Sequence, residues 1–378
     1  MVSMIKKDEI SDIVKDYQDI TIGIFGSHSA KSLGMAAKAC GFGTVIVVEE
    51  GRDTFYSIRN RHLYDTVIKV DEFKDILNED VQDRLRELTT IFIPNRSFSV
   101  YVGYDGIENE FMVPMYGNRF ILRAEDRAGE KGQYDLLKKA MIRTPKEFRS
   151  PEAIDRLCIV KVQQAANVLE RAFFYADSTE DYYRQEGELL KGGVINEETL
   201  KDARIEEYVL GPRFNANFHG YALMDVFDDL DLVGFTDRRQ VNLQGFLNLP
   251  ARDQLKINIP VKNEEIGHYG ITMRESKQPL ACEAACRFKR VVEEEYPPGM
   301  IGPFALQGAI GYTPNENLEF VVFDVSPRVP GDPAIGPTSP EMRNLSLKYN
   351  RKIEDPMDLI MMEIERAKIE ERLEEVVT

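Results

Sequence analysis

Cysteine is scarce: Cys40, Cys158, Cys282 and Cys286 are the whole complement of 378 residues. No CxxC pair occurs and no histidine stands near Cys282 and Cys286, so a zinc set is not assembled. Reduced, mostly buried thiols are expected, and a redox role has no support. Basic residues fall short of acidic ones, 48 Lys and Arg against 64 Asp and Glu, for a formal charge of −16. Phosphate backbones demand clustered cations, so a general nucleic-acid binder is excluded, while a local basic pocket for a phosphorylated small molecule stays open. Lys6 and Lys7 are followed by no apolar leader, and no segment approaches the roughly 18 apolar residues of a membrane span. A cytoplasmic protein without a membrane partner is expected. The GxGxxG fingerprint is missing, which sets aside a dinucleotide enzyme.

What is present describes a folded chain. Hydrophobic content of 43% with 30% charged residues separates it from disordered sequences, and its length allows two domains or one large domain with an appendage. A helical segment, Lys7–Asp16, precedes a strand over Ile20–Phe25 that ends in Gly26-Ser27-His28-Ser29. Helical periodicity over Ser32–Cys40 and a strand over Thr44–Val48 follow. Ligands of such parallel units sit beyond the carboxyl ends of the strands, where Ser27 and His28 fall. Further strands are predicted at Thr66–Val70 and Thr90–Pro94, the latter running into Asn95-Arg96-Ser97-Phe98. Arg96 and Ser97 would complete an anion pocket with His28; the plainer readings are a helix cap and an ordinary polar loop.

A helix is predicted over Glu125–Ala140, with the first boundary near residue 120. Strands at Leu157–Val162, Phe173–Ala176, Ala203–Val209, Ala222–Phe227 and Leu230–Phe235 follow, with a helix at Glu180–Lys191 and Thr236-Asp237-Arg238-Arg239 beyond the last strand. Antiparallel signals after a parallel unit read as α+β. A further helical stretch covers Pro279–Tyr296. The segment Pro356–Val376 reads as a charged amphipathic helix suited to a solvated face or a subunit contact.

The most telling run is Pro297–Gln307 followed by Leu318–Arg328. Two strands here bring Gln307, Asp324, Ser326 and Arg328 to one place, and period-two spacing points Asp324 and its neighbours to one face. Oxygen donors beside an arginine suit a metal nucleotide; an ordinary edge strand is the alternative. The Gly/Pro-rich stretch Arg328–Pro340 then reads as an active-site loop or a rigid connector.

These blocks carry a resemblance. Gly26-Ser27-His28, Ser97-Phe98, Val113–Arg119, Glu206-Glu207-Tyr208-Val209, Asp253-Gln254-Leu255 with Asn258, Arg274-Glu275-Ser276 and Pro297–Phe304 occur in an order that resembles the archaeal 5-formaminoimidazole-4-carboxamide ribonucleotide (FAICAR) synthetases of the ATP-grasp superfamily. The resemblance implies an ATP-grasp fold, α/β and α+β, with an N-terminal Rossmann-like substrate-binding domain over 1–120. An ATP-grasp domain over 121–378 would hold a nucleotide-binding subdomain at about 121–210. It implies an ATP-dependent ligase of purine biosynthesis that joins formate to 5-aminoimidazole-4-carboxamide ribonucleotide (AICAR) through formyl phosphate, using ATP with Mg2+ or Mn2+, in a homo-oligomer.

By the same resemblance His28, Ser97 and Asn258 bind the ribonucleotide and Gln307 and Asp324 hold the metal. Lys161 reaches the ATP phosphates, Glu206, Glu207, Tyr208 and Val209 form the adenine hinge, Asp231 touches the nucleotide, and Arg274 and Arg328 are the catalytic charge partners. Three positions depart from the family pattern. No glycine occurs in Val162–Glu170, where the family has a glycine-rich phosphate loop; Asp324 stands for the usual Glu; and Pro330-Gly331-Asp332-Pro333 replaces a Gly-Gly-Thr-Asn-like loop. They set a second reading beside the ligase: a diverged paralogue acting on another carboxylate and amine, or a non-catalytic nucleotide-binding subunit.

Overall fold

The computed structural model describes residues 4–125, 130–163, 171–240, 243–256, 265–312, 317–329, 335 and 339–378, the side chains of residues 163, 171, 243, 244 and 265 excepted. Asn258, residues 164–170 of the glycine-poor loop, and residues 330–334 lie outside them.

Strands β1 (Thr21–Phe25), β2 (Gly43–Glu49), β3 (Thr66–Val70) and β4 (Thr90–Ile93) form a parallel sheet in the order β3-β2-β1-β4. The near-continuous apolar runs of β1, β2 and β4 are buried on both faces, as parallel strands demand, while β3 at the edge is only half-buried. The chain steps outward from β1 to β3 and returns to β4 on the other side of β1. A crevice therefore opens between the carboxyl ends of β1 and β4.

Strands β5 (Glu147–Phe148), β6 (Cys158–Gln163), β7 (Arg171–Ala176) and β8 (Arg204–Glu207) build a small antiparallel sheet, ordered β5-β8-β6-β7. Alternation sorts its faces: Cys158, Val160, Val162, Phe174 and Ile205 are buried with Tyr182 of the helix Thr179–Lys191. Ile159, Lys161, Tyr175, Arg204 and Glu206 occupy the opposite face.

The largest sheet contains β9 (Arg213–Gly220), β10 (Leu230–Gln240), β11 (Glu265–Ile271), β12 (Gly302–Tyr312) and β13 (Leu318–Ser326), ordered β11-β10-β9-β12-β13. All its pairs are antiparallel. Ala216, Phe218, Phe235, Phe304, Leu306 and Val325 share a core with Ala281, Ala285 and Phe288 of the helix Gln278–Glu295. The other face carries Asn215, Asn217, Thr236, Gln307, Asp324 and Ser326.

Four expectations need correction. Ala222–Phe227 is not a strand; Phe227 N–H donates to Leu223 O at 2.9 Å, closing a turn that buries both side chains. Thr236–Arg239 lies inside β10, not beyond it. The helix expected over Glu125–Ala140 spans only Gln133–Lys139, after a 3-10 stretch over Arg119–Glu125. Lastly, the charged C-terminal segment contributes the helix Met357–Ile369, whose Leu359, Ile360, Met361, Ile364 and Ala367 are buried in the core formed with β1 and the helix Ala30–Ala39. Its apolar positions outvote the i,i+4 charges.

Arg119, fully buried, donates to Ile107 O at 3.1 Å, Phe111 O at 2.7 Å, Val113 O at 3.1 Å and Thr378 O. Arg119→Met strands these carbonyls, so a loss of at least about 3 kcal/mol is expected in urea unfolding.

A second buried network joins the Tyr116 hydroxyl to Glu363 Oε2 at 2.5 Å and to His219 Nε2 at 3.2 Å, while Glu363 Oε1 accepts from Ala222 N at 2.7 Å and Leu223 N at 3.1 Å. Burial lifts the Glu363 carboxyl from 4.5 to about 7, against the pull of Tyr116, Leu223 and Ala222. Because the folded value is raised, this group's contribution to stability is present below pH 4.5 and is lost as pH rises through about 7. Relative to wild type, Glu363→Gln should therefore gain about 1.4 kcal/mol per pH unit across that window. Paired urea titrations at pH 4.5 and 7 check it; a flat difference contradicts it.

Candidate active site

Past β1 the backbone turns at Gly26, where an added Cβ would meet Val47 O at 2.9 Å and Val48 Cγ1 at 2.7 Å. Only glycine lets the turn lie this close to β2. Ser27 Oγ lies 2.7 Å from Ser97 Oγ, which follows β4. Asn95 ties the two turns: its Nδ2 donates to His28 O at 2.9 Å and Phe25 O at 3.3 Å, and its Oδ1 caps the helix Arg96–Val102 through Phe98 N at 3.1 Å. His28 is exposed at the mouth of this crevice. Two of the expected ribonucleotide residues, His28 and Ser97, thus share the switch point.

The second group forms on the large sheet. Gln307 and Asp324 are direct partners across β12 and β13, beside a register shift after Gln307. Gln307 Nε2 donates to Ser326 Oγ at 3.0 Å, and its Oε1 accepts from Arg238 Nη2. Thr236, Asn215, Gln307 and Asp324 form one row across the sheet. Two residues along β9 on the same face, Asn217 Nδ2 donates to Asn215 O at 3.1 Å, while its Oδ1 is buried without a partner among the described residues.

Glu125 links the two groups. Its Oε2 lies 3.1 Å from Arg96 Nη1, and its Oε1 accepts from Arg328 Nη2 at 2.7 Å. Arg328 and Glu125 are only 7% and 10% exposed. Backbone continues the connection, since Asn95 and Val329 form a parallel bridge. Burial works against the Arg96 charge, but Glu125 and Tyr104, with Asp324 beyond, lift it above the ordinary arginine value. The crevice and the Gln307–Asp324 row are therefore walls of one cleft.

Across it, the small sheet contributes Lys161, whose Nζ pairs with Glu206 Oε2; both are largely buried. The Tyr134 hydroxyl lies 3.2 Å from Glu206 Oε1 and 3.2 Å from Phe323 O, fastening the small sheet to β13. The hinge residues divide. Glu207 faces away, bonded to Arg143 at 3.1 Å and to Lys146 N at 3.1 Å. The Tyr208 ring stacks edge-on against Tyr175 at 5.3 Å, and Val209 lies beside Gly311.

Two expected residues stand elsewhere. Asp231 pairs with His219, well along β10 from the Thr236 row, and accepts from Tyr221 at 2.9 Å, Tyr349 at 2.6 Å and Lys348. That fully bonded, buried carboxylate belongs to the packing of the helix Pro340–Lys348. Arg274 is exposed at the entry to the helix Gln278–Glu295, and among the described residues no hydrogen bond or ion pair ties it to the cleft. Conversely, Arg238 and Glu125 are residues of the site that the sequence alone does not signal. Arg238 lies in β10, which runs five residues past the Phe235 where its apolar pattern ends, and Glu125 closes a 3-10 stretch where the pattern predicts the start of a helix.

Gln307 and Asp324 offer oxygen atoms side by side, the donors a hard divalent cation takes. No group of three or more His, Cys, Asp or Glu able to hold a metal occurs among the described residues. With Arg238 drawn off Gln307 Oε1, the pair fits a cation that takes its remaining ligands from phosphate and water, as Mg2+ does.

A parallel switch-point sheet and two antiparallel sheets closing on one cleft define the ATP-grasp class. Solved structures agree: an IMP biosynthesis protein PurP from Thermococcus kodakaraensis aligns with a TM-score of 0.67 at 24% identity, over 94% of this chain and 100% of that one. The biotin carboxylase domain of Hydrogenobacter thermophilus 2-oxoglutarate carboxylase, in a complex with MgADP, aligns at 0.53 and 14% identity, over 83% and 65%. A protein family described as "Protein of unknown function (DUF1246)" matches residues 22–148, and "Domain of unknown function (DUF1297)" matches 181–378. The 5-formaminoimidazole-4-carboxamide-1-(beta)-D-ribofuranosyl 5'-monophosphate synthetase of Methanocaldococcus jannaschii is 41% identical over 330 residues, 87% of this chain and 88% of that protein. The chain belongs to this synthetase family.

Proposed function

We propose that the protein is an ATP-dependent ligase that formylates AICAR with formate, giving FAICAR, ADP and phosphate. The observation that carries the reading is Glu125, which joins the β1/β4 crevice to the Gln307–Asp324 row through Arg96 and Arg328. A ribonucleotide in the crevice and a nucleotide on the row would meet at that junction. In this reading residues 1–120 supply the ribonucleotide side, through Ser27, His28 and Ser97, and the remainder supplies the nucleotide side.

Formate is a poor electrophile, so transfer of the ATP terminal phosphoryl to a formate oxygen gives formyl phosphate and ADP. The 5-amino group of AICAR attacks the formyl carbon, phosphate leaves with that oxygen, and the amine loses a proton. A divalent ion bound through Gln307 and Asp324 would neutralise phosphate charge. Lys161, opposite the row, would neutralise more, while Glu125 fixes Arg96 and Arg328 for the anionic formate and phosphate. Mg2+ is the ion we assign, Mn2+ the substitute.

The test is ADP release by purified protein with ATP, Mg2+, formate and AICAR, against reactions lacking each component. ADP and FAICAR in equal amounts, only when all are present, are expected. Binding of ATP or AICAR with no turnover would instead mark a diverged paralogue.

A further inference from the structure

The Asp237-Arg238-Arg239 motif lies on β10, and Arg238 reaches across the intervening β9 to Gln307 on β12. The contact is specific. Gln307 Nε2 donates to Ser326 Oγ at 3.0 Å, so the amide is held with its one cation-binding atom, Oε1, turned to the guanidinium. A divalent ion on Oε1 would therefore sit against the Arg238 guanidinium, with the single carboxylate of Asp324 beside it. Coulomb repulsion at such range is strong in a partly desolvated cleft. As built, the row disfavours a bare cation. A nucleotide phosphate reverses this, because a guanidinium prefers a phosphate oxygen to a neutral amide oxygen.

We propose that Arg238 is a positioning residue that couples nucleotide to metal: it occupies Gln307 in the free protein, moves to the nucleotide phosphates when they arrive, and so releases Gln307 Oε1 to the ion. Free metal then binds poorly and the metal enters with the nucleotide. The inference rests on the ligase reading for its nucleotide.

Arg238→Gln separates this from a merely structural role. Mn2+ affinity of the nucleotide-free protein, read by electron paramagnetic resonance, should rise at least about tenfold, and metal-free ATP affinity, read by calorimetry, should fall about tenfold. Arg238→Lys, which keeps the charge, should return both toward wild type. Loss of a structural contact would not strengthen Mn2+ binding. Either quantity within about twofold of wild type, in a variant folded by circular dichroism, overturns the proposal. The unmodified chain offers an independent check if the variant fails to fold. Saturating ATP, without formate or AICAR, should tighten its Mn2+ binding at least about tenfold, and equal affinity with and without ATP overturns the proposal. A chain that binds no ATP overturns the ligase reading together with the coupling; one that binds ATP but shows no coupling overturns the coupling alone.

Discussion

Asp324→Asn is expected to lower kcat by at least about a hundredfold while leaving AICAR affinity unchanged. Asp324 faces Gln307, a neutral ligand, so it supplies the negative charge of that pair. An amide keeps the shape but not the charge, and a hard cation loses its strongest donor. Arg96, whose charge Asp324 helps sustain, keeps Glu125 as its partner, so the crevice that would hold AICAR stays intact. The kinetic signature is a loss in kcat at saturating AICAR, partly relieved by raising the metal concentration. An equal loss in AICAR affinity would show that Asp324 acts on the ribonucleotide side instead.

Glu125→Ala should damage both stability and catalysis. Glu125 is the shared partner of Arg96 and Arg328, and Arg328 is nearly buried. Removing one member of a buried pair leaves its partner's charge uncompensated, at a cost of about 3–5 kcal/mol. Arg96 is about two-fifths exposed and adds little to that figure. Urea unfolding measures the first effect. For the second, kcat/KM should fall through KM for both formate and AICAR, because two cations lose their fixed positions. A variant of unchanged KM would show that the Arg96–Glu125–Arg328 bridge is only a packing device. The contrast with Asp324→Asn, a kcat effect, distinguishes holding the nucleotide from joining the two halves.

Local pattern explains why much of this was readable from residues alone. The runs Thr66–Val70, Thr90–Pro94 and Leu318–Arg328 are rich in β-branched and aromatic residues, and strands form there over Thr66–Val70, Thr90–Ile93 and Leu318–Ser326. That two adjacent strands bring Gln307, Asp324 and Ser326 together was likewise visible, whereas the direct Gln307–Asp324 partnership depends on a register shift after Gln307 that no local pattern encodes. β9 gave no such signal: Asn215, Asn217 and His219 have low strand preference, and they are buried because the sheet closes over them. Ala222–Phe227 erred in the opposite direction, since apolar residues four apart also suit a turn packed on a helix. Glu125 was invisible as a site residue for a different reason. Its role comes from Arg96 and Arg328, 29 and 203 positions away in the sequence, and no local pattern encodes such a meeting. The resemblance to the synthetases supplied His28, Ser97, Gln307 and Asp324 together, but it also offered Asp231, which the structure uses to anchor a helix.

Carboxylate activation by ATP inside one cleft is tested most directly by oxygen transfer. With [18O]formate, ATP, Mg2+ and AICAR, the account predicts inorganic phosphate carrying one 18O atom per turnover, seen as a shifted 31P resonance, with FAICAR in equal amount. Product formed with unlabelled phosphate would contradict it, since formate would then reach the amine without passing through formyl phosphate.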